Sequence, residues 1–328
     1  KQIEKTGIKG QHLIFIDDYS STELENIFKT AEMLEPFWRN RIPLLEGKIL
    51  CTQFFQPSTR TRFSHETAMF RLGGNVITES NPLVSSAAAK GESLYDSLRV
   101  TSQYADVIVL RHPDEGVIDT IEQLGSDASP IISGGYGNVT HPTQGLLDMY
   151  TAYRALGGDF KEMTVMIATP DLSRARSGQS FGLGLARMGS KLIYSGTTGL
   201  EVPPVIRAKL KAMNANFTEV NDLTIGQHEE MLADEAVDLL YLPGCSVKKG
   251  DPGRDDFLKK MAEFYFTLEG LQKIKQKSGK TVGLMHSLPR NEGEFDFAID
   301  ASEHELYFKQ IGFSVPLRMS LLANICGV

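Results

Sequence analysis

Short apolar runs alternate along the chain with stretches in which apolar residues recur at helical spacing. That alternation predicts strands separated by helices. The strand-like runs are Lys48–Phe55, Asn75–Thr78, Asp106–Arg111, Pro130–Ser133, Thr164–Ala168, Lys191–Ser195, Val237–Leu242 and Thr281–Met285. Ser20-Ser21-Thr22 reads as the cap of a helix through about Phe37, with Leu24, Ile27, Phe28, Ala31 and Leu34 on one face. Thr59–Leu72 and Gly91–Tyr104 read as further helices. Strands that alternate with helices form parallel sheets covered on both faces. The expected fold is therefore α/β, with two doubly wound domains, mainly parallel central sheets and an interdomain cleft. A break near Met149–Ala155 divides residues 1–150 from 151–304, and a helix over about 305–328 is expected to pack back on the first domain.

The polar chemistry follows the strand-like runs. It lies at Ser58–Thr61, Arg111-His112-Pro113, His141-Pro142-Thr143-Gln144, Asp171–Arg176, Gly244–Ser246 and His286–Arg290. Ligands of open α/β sheets bind beyond the carboxyl ends of strands. Ser58-Thr59-Arg60-Thr61 opens a helix, where unpaired N–H groups, a positive dipole end, hydroxyls and a guanidinium together suit a phosphate. Ser85–Ser93 is a run of small residues that reads either as a plain surface loop or as a lid bringing Ser86 and Lys90 to an anion. Glycines in Ser133–Gly137 allow close backbone approach, and Pro142 suits the first turn of a helix that starts beside His141. A histidine and an amide there suit a carbonyl oxygen and an NH2 group. Arg176, at another helix start, is a candidate for a carboxylate. No GxGxxG follows Ala168, so a dinucleotide site is not expected.

Composition narrows the classes further. The 328 residues suffice for two domains, and a net charge of -7 disfavours a bulk nucleic-acid binder. Cys51, Cys245 and Cys326 form neither a disulfide framework nor a zinc pattern, and no metal ligand spacing is visible. No apolar run has the roughly 18–20 residues of a membrane span. The polar start Lys1–Thr6 does not read as a signal core, so a cytoplasmic enzyme is expected. A processed organellar protein would look the same.

Taken jointly and in this order, these motifs resemble the transcarbamylase family of aspartate and ornithine carbamoyltransferases, and most closely its aspartate carbamoyltransferase catalytic chains. The likeness runs from about Ile14 to Ala323. It implies carbamoyl phosphate as donor, an amino acid as acceptor, no cofactor, and a trimer whose active sites are shared between subunits. Ser58, Thr59, Arg60 and Thr61 would hold the phosphate, joined by Ser86 and Lys90 of a neighbouring subunit. Arg60, Thr61, Arg111 and His141 would surround the carbonyl oxygen, while Gln144 and the backbone carbonyls near Ser287 and Leu288 would hold the NH2. Lys90, Arg176, Gly244, Ser246 and Pro289 would face the acceptor, and Arg318 would be structural. For aspartate the product would be N-carbamoyl-L-aspartate, a step of pyrimidine biosynthesis. The resemblance leaves open whether regulatory chains or a dihydroorotase bind.

Three positions depart from the family pattern. Gly244-Cys245-Ser246 stands where aspartate carbamoyltransferases carry Arg-x-Gln to grip the side-chain carboxylate. The lid has Ala89 before Lys90 where two lysines are usual, and the turn reads His286-Ser287-Leu288-Pro289 rather than His-Pro-Leu-Pro. Losing a bidentate Arg–carboxylate contact costs on the order of 2–5 kcal/mol. Either Lys248, Lys249 or Arg254 replaces the lost guanidinium, or the acceptor is another amine with a smaller or uncharged side chain. The ornithine enzymes' Ser-Met-Gly loop and His-Cys-Leu-Pro turn are both lacking. A non-catalytic scaffold of the same fold is the remaining alternative.

Overall fold

The computed structural model describes residues 2–85, 87–244, 254–291 and 293–327. The chain divides into two compact units, residues 1–143 with 312–328, and residues 144–311.

The first unit is built on β1 (Ile49–Phe54), β2 (Asn75–Glu79), β3 (Val107–His112) and β4 (Ile131–Tyr136), all parallel, in the order β2-β1-β3-β4. Its helices are α1 (Ser21–Leu34), α2 (Thr59–Arg71), α3 (Pro82–Ser85), α4 (Leu94–Thr101) and α5 (Val117–Leu124). The chain then enters α6 (Pro142–Leu156), which leads into the second unit. Ser20 caps α1 by accepting from the Glu23 amide, and the five apolar residues expected on its inner face are all buried. The α-helical hydrogen bonding stops at Leu34 rather than near Phe37, because Pro36 lacks the N–H to continue it, and a 3-10 turn follows.

The second unit carries β5 (Thr164–Ala168), β6 (Lys191–Gly196), β7 (Phe217–Asn221), β8 (Leu239–Leu242) and β9 (Gly283–His286), again parallel, in the order β7-β6-β5-β8-β9. Its helices are α7 (Arg176–Met188), α8 (Pro204–Ala212), α9 (Ile225–Asp234), α10 (Arg254–Met261) and α11 (Leu268–Ser278), followed by α12 (Tyr307–Gly312). The last helix, α13 (Ser314–Cys326), belongs to the first unit, where the Ser320 hydroxyl donates to the Ile27 carbonyl at 2.7 Å.

Each sheet reverses direction once, between β1 and β3 in the first and between β5 and β8 in the second. Such switch points open the crevice in which α/β proteins seat ligands. In the first unit, Ser58–Thr61 follow β1 and Arg111 stands near the end of β3, the two strands flanking the switch. In the second, Asp171–Arg176 follow β5 and Gly244 follows β8. No helix of the described residues is long and apolar enough to cross a membrane.

Candidate active site

At the first switch point, Phe54 of β1 pairs with Arg111 of β3, and the Phe55 amide donates to the Arg111 carbonyl at 2.9 Å. The chain leaves β1 and enters α2 through Ser58, which has extended backbone and whose side chain does not cap the helix. The amides of the first helical turn lack intrahelical acceptors by geometry, so the start of α2 at Ser58–Thr61 is chemically suited to an anion. Thr59 and Arg60 are exposed, Ser58 is half-buried and Thr61 is buried. Partial burial lowers the Arg60 pKa from its ordinary value, which leaves it a cation in water. One turn on, the Thr61 carbonyl meets His65 Nδ1 at 2.8 Å. His65 is fully buried, and burial together with the nearby Arg318 charge holds its pKa well below the ordinary value. Arg318, on α13, is itself 2 % exposed, and its charge acts on His65 in the middle of α2.

Arg111 is buried, and its Nη1 donates to the Gly134 carbonyl at 2.8 Å. The same nitrogen lies 3.5 Å from His141 Nε2. His141 Nδ1 faces Thr143 Oγ1 at 3.4 Å, and that hydroxyl donates to the Ser133 carbonyl at 3.2 Å. A guanidinium can only donate, so this geometry favours a neutral imidazole with its proton on Nδ1. Two glycines make the pair possible. A Cβ on Gly134 would stand 3.2 Å from the Leu110 carbonyl oxygen, and one on Gly135 would stand 3.1 Å from Arg111 Nη1. Gly135 also has φ +111, open to glycine but strained for other residues. Gly135→Ala is therefore expected to cost about 1–3 kcal/mol of stability and to lower turnover by displacing Arg111. Thermal melting and steady-state rates on the same sample check it.

Lys90 is exposed at the end of a 3-10 turn, Ala87–Lys90. Ser86 and Ser246, both expected in the site, lie outside the described residues, as do Lys248 and Lys249.

In the second unit, α7 is preceded by a loop tied to Asp171, a 4 % exposed carboxylate that accepts from the Arg174 Nε at 2.7 Å. Gln179 Nε2 donates to the carbonyls of Leu172 and Ser173, each at 3.1 Å. This fixed loop presents Arg176 half-buried at the helix start, where burial lowers its pKa from the ordinary value. Gly178 lets α7 lie against Pro243, since a Cβ there would be 2.9 Å from the proline ring. The neighbouring Ser177 hydroxyl hydrogen bonds to Tyr241.

Gly244 follows at the end of β8. Its amide donates to Ser287 Oγ at 3.1 Å, and a Cβ at this position would stand 3.3 Å from His286 Cε1. Two of the departures noted in the sequence, at 244 and at 287, are thus a single contact. Beside it is a small pocket whose walls include Thr169, Leu242, Pro243, His286 and Glu294. His286 Nδ1 accepts from the Leu288 amide at 3.0 Å, which leaves its Nε2 facing Glu294 at 3.5 Å. Burial pushes the Glu294 carboxyl up, but His286 and Asn291 more than offset this and hold it below its ordinary value, so it is anionic. Leu288 has φ 51 and joins Pro289 through a cis peptide; Pro289 is exposed.

Sequence reasoning missed Asp148. Its carboxylate is fully buried and accepts from Gln144 Nε2 at 2.8 Å, from Tyr241 at 2.8 Å and from Gln310 Nε2. The signal was present, because Gln144 and Asp148 are four apart on a predicted helix and so share a face. Gly145 between them brings α6 onto α7, since a Cβ there would be 3.0 Å from Ser180.

Residues 11–154 match the aspartate/ornithine carbamoyltransferase carbamoyl-P binding domain. A ureidoglycine carbamoyltransferase from Rubrobacter xylanophilus is 44% identical over 326 residues, covering 99% of this chain and 94% of that one. The aspartate carbamoyltransferase catalytic subunit of Methanocaldococcus jannaschii is 39% identical over 96% of this chain and 97% of its own length. Among solved structures, the M. jannaschii catalytic subunit superposes with a TM-score of 0.81 at 36% identity, over 96% of this chain and 99% of that one. A Trypanosoma cruzi aspartate transcarbamoylase in complex with carbamoyl phosphate and aspartate gives 0.85 at 26% identity, over 98% of both chains. The parallel sheets, the residues gathered at their switch points and these full-length likenesses lead to one conclusion: the chain is a carbamoyl-transferring enzyme of the aspartate/ornithine carbamoyltransferase family.

Proposed function

We propose that the enzyme transfers the carbamoyl group of carbamoyl phosphate to the amine of an α-amino acid whose side chain is uncharged, with ureidoglycine as the acceptor. The observation that carries this reading is Gly244. Its amide is held by Ser287 and a Cβ would crowd His286, so the backbone position where aspartate enzymes extend an arginine offers no cation. The anionic Glu294 behind His286 adds a charge that disfavours an acceptor carboxylate nearby. A ureido group is neutral and needs no guanidinium. The 44% identity to a ureidoglycine carbamoyltransferase supports the same choice. Aspartate is the second reading, favoured by relatives such as the M. jannaschii subunit, and it would require a cation from Lys248, Lys249 or Arg254.

In this reading Ser58, Thr59, Arg60 and Thr61 hold the phosphate, and Ser86 and Lys90 of a neighbouring subunit in a homotrimer complete it. Arg176 takes the acceptor's α-carboxylate, while Gly244, Ser246 and Pro289 border its side chain. The free amine attacks the carbonyl carbon, and the C–O bond to phosphate breaks. The departing phosphate takes the proton lost by the amine and leaves as hydrogen phosphate dianion. Arg111 and Thr61, with His141 beside Arg111, meet the negative charge that develops on the carbonyl oxygen. Gln144 and the Leu288 carbonyl hold the carbamoyl NH2, and positioning two substrates together supplies much of the rate.

Phosphate release from carbamoyl phosphate, measured with ureidoglycine and with aspartate, tests the acceptor. Ureidoglycine should exceed aspartate by about 100-fold or more in kcat/KM, the equivalent of one missing charged contact in the wrong substrate. Equal or better turnover of aspartate would remove this reading in favour of the second. Donor binding without turnover of any amine would favour a scaffold.

A further inference from the structure

We infer that Asp148 is a positioning residue that orients the Gln144 amide so that its carbonyl oxygen, rather than its NH2, faces the donor. This rests on the reading of Gln144 as the holder of the carbamoyl NH2. The two faces of a glutamine amide differ only in which atom donates, and neighbours decide the orientation. Asp148 is fully buried, and an ionised carboxylate only accepts. With Gln144 Nε2 at 2.8 Å from Asp148 Oδ1, the opposite orientation would set two acceptors against each other. The Gln144 Oε1 is thereby left for a ligand N–H.

Asp148 is itself held. Gln310 Nε2 shares its Oδ1, and the Tyr241 hydroxyl donates to Oδ2 at 2.8 Å. Burial, and then the Asp148 charge, push the Tyr241 phenol well above its ordinary pKa, so it remains a donor. Tyr241 in turn hydrogen bonds to Ser287, which accepts from the Gly244 amide at 3.1 Å. A continuous hydrogen-bonded path therefore runs from Gly244, at the acceptor loop, to the amide proposed to read the donor.

Acetyl phosphate has a methyl group where carbamoyl phosphate has NH2, so the ratio of their dissociation constants reads this one contact. The wild-type enzyme should prefer carbamoyl phosphate by about tenfold or more, the effect of a single buried hydrogen bond. Gln144→Ala should abolish the preference, and Asp148→Asn should reduce it to within about twofold, because the Asn amide supplies one oxygen where Gln144, Tyr241 and Gln310 all donate. Tyr241→Phe should lower it about threefold, and it decides the matter if Asp148→Asn does not fold. A purely structural role would weaken both ligands equally and leave the ratio unchanged. If Gln144→Ala loses the preference while folded Asp148→Asn and Tyr241→Phe keep it, the positioning role is overturned and the reading of Gln144 stands. If Gln144→Ala keeps the preference, both fall.

Discussion

Replacing Arg111 with alanine is expected to lower kcat by about 100- to 1000-fold while changing carbamoyl phosphate affinity only a few-fold, as for removal of a donor aimed at a developing oxyanion. The asymmetry follows from where its partner charge arises. The carbonyl oxygen of the bound donor is nearly neutral, and it becomes negative only as the amine adds. Arg111 is already in place before that moment. Its Nη1 is fixed on the Gly134 carbonyl at 2.8 Å, and the side chain is buried. Little reorganisation is needed in the transition state, and the low local dielectric strengthens the interaction. Arg111→Lys should recover only part of the rate, since a point charge cannot hold the Gly134 carbonyl and reach the substrate together. Steady-state rates and calorimetric titration of carbamoyl phosphate separate the two parameters, with circular dichroism to confirm folding. An unchanged kcat, or an equal loss in affinity, would remove Arg111 from its assigned role.

Much of this arrangement was legible in the sequence because it depends on local rules. Thr164–Ala168 was delimited as found, since a buried parallel strand reads as an unbroken apolar run. The helix expected over Gly91–Tyr104 is shorter, Leu94–Thr101, because Ser93 takes the cap by accepting from the Asp96 amide. Strand β4 runs on through Gly134 and Gly135, which resemble loop residues in the sequence but, lacking a Cβ, leave room for Arg111. Strand β7 was missed altogether. It is an edge strand of Phe-Thr-Glu-Val-Asn with no buried residue, so it offers no apolar run to find.

The site shows the same division. Residues at strand ends could be found singly, because each carries a turn or a helix start with it. Relations between distant segments could not. The contact of Gly244 with Ser287 joins two departures that looked unrelated along the chain. Gln144, Tyr241 and Gln310 all donate to Asp148, and of these only Gln144 is a helical neighbour.

Arg60→Ala and Lys90→Ala are each expected to reduce activity by about 100-fold or more, since each removes a cation from the phosphate. Dissociated and reassembled together, the two variants should recover about a quarter of wild-type activity. In the proposed cyclic trimer, each shared site would take Arg60 from one chain and Lys90 from its neighbour. With equal, random mixing, a chain retaining Arg60 stands beside one retaining Lys90 in about one arrangement in four. The proposed assembly would also cover apolar side chains that the first unit leaves exposed. Phe63 on the first turns of α2, Leu83 and Val84 on α3, and Tyr104 after α4 are all exposed. Exposed apolar side chains of this kind suit burial against another copy. Activity of the mixture that stays at the level of the separate variants, with trimers verified by sedimentation, would mean that each chain holds its own complete site. Lys90 would then have to act within the chain that carries Arg60, and the exposed apolar side chains would need another partner.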